Sequence, residues 1–179
     1  MDRTDAAAAA QSLHLLAAYF RQHPATGPSL RAAPTATASA PLNLGAVDHI
    51  TAAVTEVADY TRQAAPDAGP LPEEARDVYR WMIENTSAAP EAVQFQRDVL
   101  IYRQHLEHAL RMGDKAVIRP HRCPACRTFG LLWRAPAGKA LCTNRKCVAG
   151  DGTSRMWTLH QLAHEHVQEM AKVGEARAT

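Results

Sequence analysis

Aromatic residues make up only 6% of this 179-residue sequence, and no apolar run approaches the roughly 18 residues that a membrane span requires. The alanine-rich start also lacks the basic n-region and long apolar stretch of a secretory signal. Together these absences predict a soluble, cytoplasmic chain with a modest core and no membrane partner. The nine glycines form no phosphate-cradling loop, and neither a nucleophile elbow nor a paired-carboxylate arrangement occurs. The sequence therefore offers no enzyme site and no small-molecule substrate. Cysteine is scarce as well: there are four, and all of them fall within 123–147.

What the chain has in abundance is alanine, about a fifth of all positions, which favours helix. In 1–23, Leu13, Leu16 and Phe20 share one helical face with Leu15 and Tyr19 beside it, an amphipathic helix that ends at Pro24. Residues 24–42 carry four prolines among alanine, threonine and serine, the composition of a linker. In 43–113 the apolar period predicts three helices. Leu44, Val47, Ile50, Val54 and Val57 mark the first; Ala75, Val78, Trp81 and Met82 mark the second, opened by Pro72. Pro90 opens the third, with Phe95, Val99, Tyr102, Leu106 and Ala109 as its stripe and Gly113 as its stop. His105 and His108 on this helix read as surface residues.

Beyond Gly113 the texture changes. Ala116–Ile118, Phe129–Trp133 and Ala140–Leu141 are short extended pieces between turn residues, and Thr158 with Gln161 makes a capping box that opens a closing helix. The unit 114–174 is thus a small β module with a helix at its end, and 175–179 a frayed tail. The fold class expected is α+β, mainly α: a helical bundle, then a zinc ribbon and a closing helix.

The cysteines read Cys123-x2-Cys126, fifteen residues, then Cys142-x4-Cys147. Two tight turns that each deliver two thiolates to a shared centre are what a tetrahedral zinc ion needs, with Zn–S near 2.3 Å. Two disulfides are the bland alternative, disfavoured in a reducing compartment. A redox Cys-Pro-Ala-Cys is another, disfavoured by the second pair and the missing βαβ pattern. Four thiolates leave no coordination position open, so one Zn2+ is expected in a structural role, with no power to activate water.

Charge is distributed unevenly. Nine basic residues stand between Arg111 and Cys147 against the single acid Asp114, while the remainder of the chain is acidic. Zinc with four thiolates would still leave this module at about +6. Arg119, Arg122, Arg127, Arg134, Lys139, Arg145 and Lys146 are the candidate nucleic-acid contacts, with Phe129, Trp133 and Trp157 as stacking or core aromatics. DNA is the expected partner. The competing reading is a protein-interaction adaptor with a purely structural zinc site, in which the N-terminal helix docks on another protein or on a second protomer. His160, His164 and His166 on the closing helix read as solvated, and His121 as a spare neighbour of a filled site.

Cys123-Pro-Ala-Cys126, Leu132-Trp133, Cys142-Thr-Asn-Arg-Lys-Cys147 and Trp157-Thr158 resemble the zinc-ribbon end of small actinobacterial and actinophage proteins of unknown role. The resemblance implies a helical region, a ribbon ligated by the four cysteines and a closing helix over 44–166. Such ribbons carry glycine soon after the first pair to accept a positive φ, whereas here Arg127 and Thr128 follow Cys126 and glycine comes only at Gly130. A non-glycine residue in that conformation costs about 1 kcal/mol.

Overall fold

The computed structural model describes residues 3–22 and 44–178; the linker 24–42 lies outside them. The chain is α+β and mainly α. Five helices run α1 Arg3–Gln22, α2 Leu44–Ala64, α3 Val78–Asn85, α4 Glu91–Arg111 and α5 Leu159–Ala178. Between α4 and α5 lies an antiparallel sheet of β1 Leu131–Arg134, β2 Lys139–Cys142 and β3 Met156–Trp157, in spatial order β1-β2-β3.

The helix α4 is central because it is amphipathic twice over. One stripe, Leu100 and Ile101, joins Ala9 and Leu13 of α1, Val57 and Ala58 of α2, and Tyr79 and Met82 of α3 in the larger core. The opposite stripe, Val99, Phe95 and Tyr102, packs on Ala163 and Val167 of α5. At its C-terminal end Leu106 enters the ribbon core with Ile118, Leu131, Ala140 and Leu162. The apolar period of α4 therefore marks the face turned to α5 and the ribbon. The expected three-helix unit gains α1 as a fourth member.

Leu13 and Leu16 of α1 are fully buried within the chain, so an intramolecular surface covers the part of the stripe expected to dock on another protomer. The side chains of Tyr19, Phe20 and Leu44 lie outside those described. Val47, placed on the buried stripe of α2, is exposed. Its neighbours Ala46 and Ala53 are buried instead, so small residues bring α2 close to the bundle.

Three local expectations are corrected. Lys115–Ile118 is a 3-10 turn, begun by the Asp114 side chain accepting from the Ala116 N–H at 2.8 Å; this cap competes with the extended form its β-branched residues favour. The helix expected to open at Pro72 starts at Val78, after a 3-10 turn at Ala75–Asp77. The closing helix continues through Gly174 to Ala178. Its capping box is present and reciprocal: the Thr158 N–H reaches Gln161 Oε1 at 2.9 Å, and the Gln161 N–H reaches Thr158 Oγ1 at 3.2 Å.

Candidate metal centre

The ribbon is built from two knuckles on hairpin ends. In the first, the Arg127 N–H donates to the Cys123 carbonyl at 2.8 Å, and an Arg122–Phe129 bridge closes the turn. In the second, Asn144 accepts from the Cys147 N–H with its carbonyl at 2.9 Å and from the Lys146 N–H with its side chain at 3.0 Å. A Val148–Ser154 bridge follows. The knuckles meet where the Thr143 hydroxyl and N–H both donate to the Gly130 carbonyl. Gly130 has φ +124, and a Cβ there would collide with Thr143, so this glycine is required. Arg127 sits at φ +58, the only non-glycine residue with positive φ among the described ones. It occupies the left-handed conformation that glycine adopts at least cost.

The four Sγ atoms all lie within 4.8 Å of one another. Cys123 and Cys147 are 3.7 Å apart, as are Cys126 and Cys142. Two sulfurs bound at about 2.3 Å to a tetrahedral centre stand about 3.8 Å apart, while a disulfide would bring them to about 2.05 Å. All four are free thiols. The spacing fits one shared metal ion, and no disulfide joins any two of the four.

The chemistry of the donors agrees with the geometry. Hydrogen bonds from the Thr128 hydroxyl, at 3.0 Å, and the Thr128 N–H hold the Cys126 thiol down to about 6. Burial, and after it the neighbouring cysteines, push Cys147 up to about 12, and burial raises Cys142 too. A cation among the sulfurs reverses that penalty, so loading the site releases protons. Cys123, Cys142 and Cys147 are buried and Cys126 is half-buried.

The candidate basic residues divide into groups. Arg122 is exposed, with its guanidinium 4.4 Å from the Phe129 ring centre, and Phe129 is itself 59% exposed. Arg145 and Lys146 are exposed within the second knuckle, and Arg119 is exposed after the 3-10 turn. Arg155, which lies beyond Cys147 and so outside the basic cluster evident in sequence, abuts the same knuckle: its backbone N–H donates to the Cys147 carbonyl at 3.2 Å. Arg134 and Lys139 stand apart at the other end of β1 and β2, directly opposite each other. Arg127 pairs with Glu165 and Glu169 of α5, so it is already engaged by carboxylates. Trp133 and Trp157 pack against the ribbon core, which assigns them to packing and leaves Phe129 as the exposed aromatic of the three.

His121 is buried against the Tyr102 hydroxyl at 3.0 Å and does not join the sulfurs. On α5 only His160 matches the solvated reading. His164 lies edge-on to Phe95, and His166 stacks on Tyr102 with ring centres 3.7 Å apart.

His108, read as a surface residue, is fully buried. It belongs to a polar chain whose direction its ends determine. Gln104 Nε2 donates to the Ala53 carbonyl and to Glu56, so Gln104 Oε1 accepts from the Tyr79 hydroxyl at 2.7 Å. Tyr79 then accepts from His108 Nε2 at 2.8 Å, and His108 Nδ1 accepts from His49 Nε2 at 3.0 Å. His108, donating from one ring nitrogen and accepting at the other, is thereby neutral; burial first, and then Arg111 and Arg103, lower His49 from its ordinary value. Burial drives His108 down to about 3, with His49, His105 and Arg103 adding to the effect.

Comparison of the chain with protein-family models, with curated proteins and with solved structures finds no match.

Proposed function

We propose that the protein is a non-enzymatic DNA-binding module in which a structural zinc ion, held by Cys123, Cys126, Cys142 and Cys147, stiffens a ribbon whose knuckle end contacts the phosphate backbone. Zinc is the fitting occupant because four thiolates at tetrahedral spacing satisfy its coordination completely. The observation that carries the nucleic-acid reading is the state of the cations. Arg119, Arg122, Arg145 and Lys146 are exposed, and among the described residues none has a carboxylate within 4.0 Å. A guanidinium over an exposed ring beside them, Arg122 on Phe129, is a surface that pairs phosphates and offers a face to a base. The two knuckles converge on one centre; Arg122 directly precedes Cys123 of the first, and Arg145 and Lys146 lie between the cysteines of the second, which supports the reading.

Fluorescence anisotropy of a labelled duplex over a salt series tests this reading. Each neutralised phosphate contributes about −0.9 to the slope of log K against log salt, so four contacts give roughly −3.6. Replacing Arg145 and Lys146 together by alanine is expected to reduce the slope by about 2 and to weaken all sequences alike. Zinc content should stay unchanged. No detectable binding at about 50 mM salt would overturn the reading.

A further inference from the structure

The strand register places Leu132 opposite Leu141, and Leu141 opposite Met156. Alternation along the strands puts Leu131, Trp133, Ala140 and Cys142 on the core side, so Leu132, Leu141 and Met156 form one row across all three strands on the other face. Leu132 is 48% exposed and Met156 46% exposed, Leu141 is half-buried, and none of the three takes part in a core cluster. Isolated apolar residues on a surface are ordinary, but a contiguous row with a charged border marks a contact site.

The border here has one sign. Two residues along the same face, about 7 Å away, Arg134 and Lys139 are directly cross-strand. Both are exposed, and neither has a carboxylate partner among the described residues. Like charges placed opposite each other destabilise a free hairpin, a cost that an anionic partner removes.

We infer that this face docks an amphipathic helix of a partner protein, its apolar stripe along Leu132, Leu141 and Met156 and its Asp or Glu flank against Arg134 and Lys139. The dimensions agree. Neighbouring strands are about 4.8 Å apart, close to the 5.4 Å pitch at which a helix repeats apolar residues on one face. A helix lying across the strands thus sets one apolar residue on each. Its radius with side chains, about 5 to 6 Å, brings its flank over the basic pair. Nucleic acid fits this face poorly, since Leu, Leu and Met give bases no aromatic ring on which to stack. The face is separate from the knuckle end, so the inference stands apart from the DNA reading and fails separately from it.

The test is a titration of the zinc-loaded full chain, followed by backbone amide NMR, with two synthetic helical peptides of about 18 residues. Both carry leucines at i, i+4 and i+7; one is flanked by glutamates and the other by lysines. The glutamate peptide is expected to bind at least about tenfold tighter, with shifts concentrated in 131–134, 139–142 and 156–157. Leu132→Thr with Met156→Thr should weaken it about tenfold at unchanged zinc content. Arg134→Glu with Lys139→Glu should reverse the preference toward the lysine peptide. Binding of neither peptide, equal binding of both, or a preference unmoved by charge reversal would overturn the inference. So would a single-stranded oligonucleotide that shifts the amides of this row, or a sedimenting dimer that Leu132→Thr dissolves, since either names a different occupant.

Discussion

Arg127 donates through its guanidinium to Glu165 at 2.8 Å, and by this bond the residue that turns the first knuckle also ties that knuckle to α5. A second guanidinium nitrogen reaches Glu169 one helical turn further on. The left-handed conformation of Arg127 costs about 1 kcal/mol relative to glycine, and ion pairs to partly exposed carboxylates return a similar amount.

The substitution Arg127→Gly keeps the backbone relaxed and loses the pairs, whereas Arg127→Ala loses the pairs and keeps the strain. Chemical denaturation of the zinc-loaded protein is expected to find the alanine variant less stable than the glycine variant by about 1 kcal/mol. Equal stability would show that the knuckle backbone relaxes around the side chain.

Metal removal should act regionally. Cys123, Cys142 and Cys147 share a core with Leu106, Ile118, Leu131 and Leu162, while Ala9, Leu13, Val57, Tyr79 and Ile101 form a core that includes no cysteine. A structural site supplies on the order of 10 kcal/mol of apparent binding energy. Chelation is therefore expected to erase hydrogen-exchange protection in β1, β2, β3 and the first turns of α5 while α1, α2 and α3 keep theirs. Uniform loss along the chain, or none, would contradict this division.

The buried chain through Tyr79 sets a pH dependence. His108 is held neutral in the folded protein, far below its ordinary value of 6.5, by burial first and then by His49, His105 and Arg103. The unfolded chain thus binds the extra proton as pH falls below 6.5. This contribution is complete above pH 6.5 and is lost on acidification toward about 3. Stability should fall by about 1 kcal/mol per pH unit below 6.5 from this group, with the fall flattened in His108→Gln. A slope that the substitution leaves unchanged would place the titration elsewhere.

Removing the middle of that chain leaves Gln104 Oε1 and His108 Nε2 without their partner. Tyr79→Phe deletes the acceptor of His108 and the donor to Gln104, two groups that are fully buried. The expected loss is about 1 to 3 kcal/mol, read from denaturant midpoints with the zinc content unaltered. A neutral outcome would mean that water replaces the hydroxyl.

The four-cysteine cluster was legible in the sequence because spacing alone fixes which thiolates two knuckles deliver, and α4 was legible because Phe95, Val99, Tyr102, Leu106 and Ala109 repeat at helical period. That same helix carries a second stripe, Arg97, Ile101, Gln104 and His108, at the same period. Three of its four members are polar, so apolar period does not reveal it and His108 reads as a surface residue. Where α1 docks is a matter of tertiary complementarity, which its own amphipathic pattern states only as a need for cover. The outer face of the ribbon was hidden for another reason: Leu132, Leu141 and Met156 are far apart in sequence and become a row only through strand register.

The account rests on a single metal ion drawing four cysteines together, and metal analysis of protein purified under reducing conditions tests it most directly. One zinc per chain is expected, lost in Cys142→Ser along with the ribbon's exchange protection. Less than about half an equivalent of zinc, iron in its place, or a Cys142→Ser protein that keeps both its metal and its protection would contradict the account.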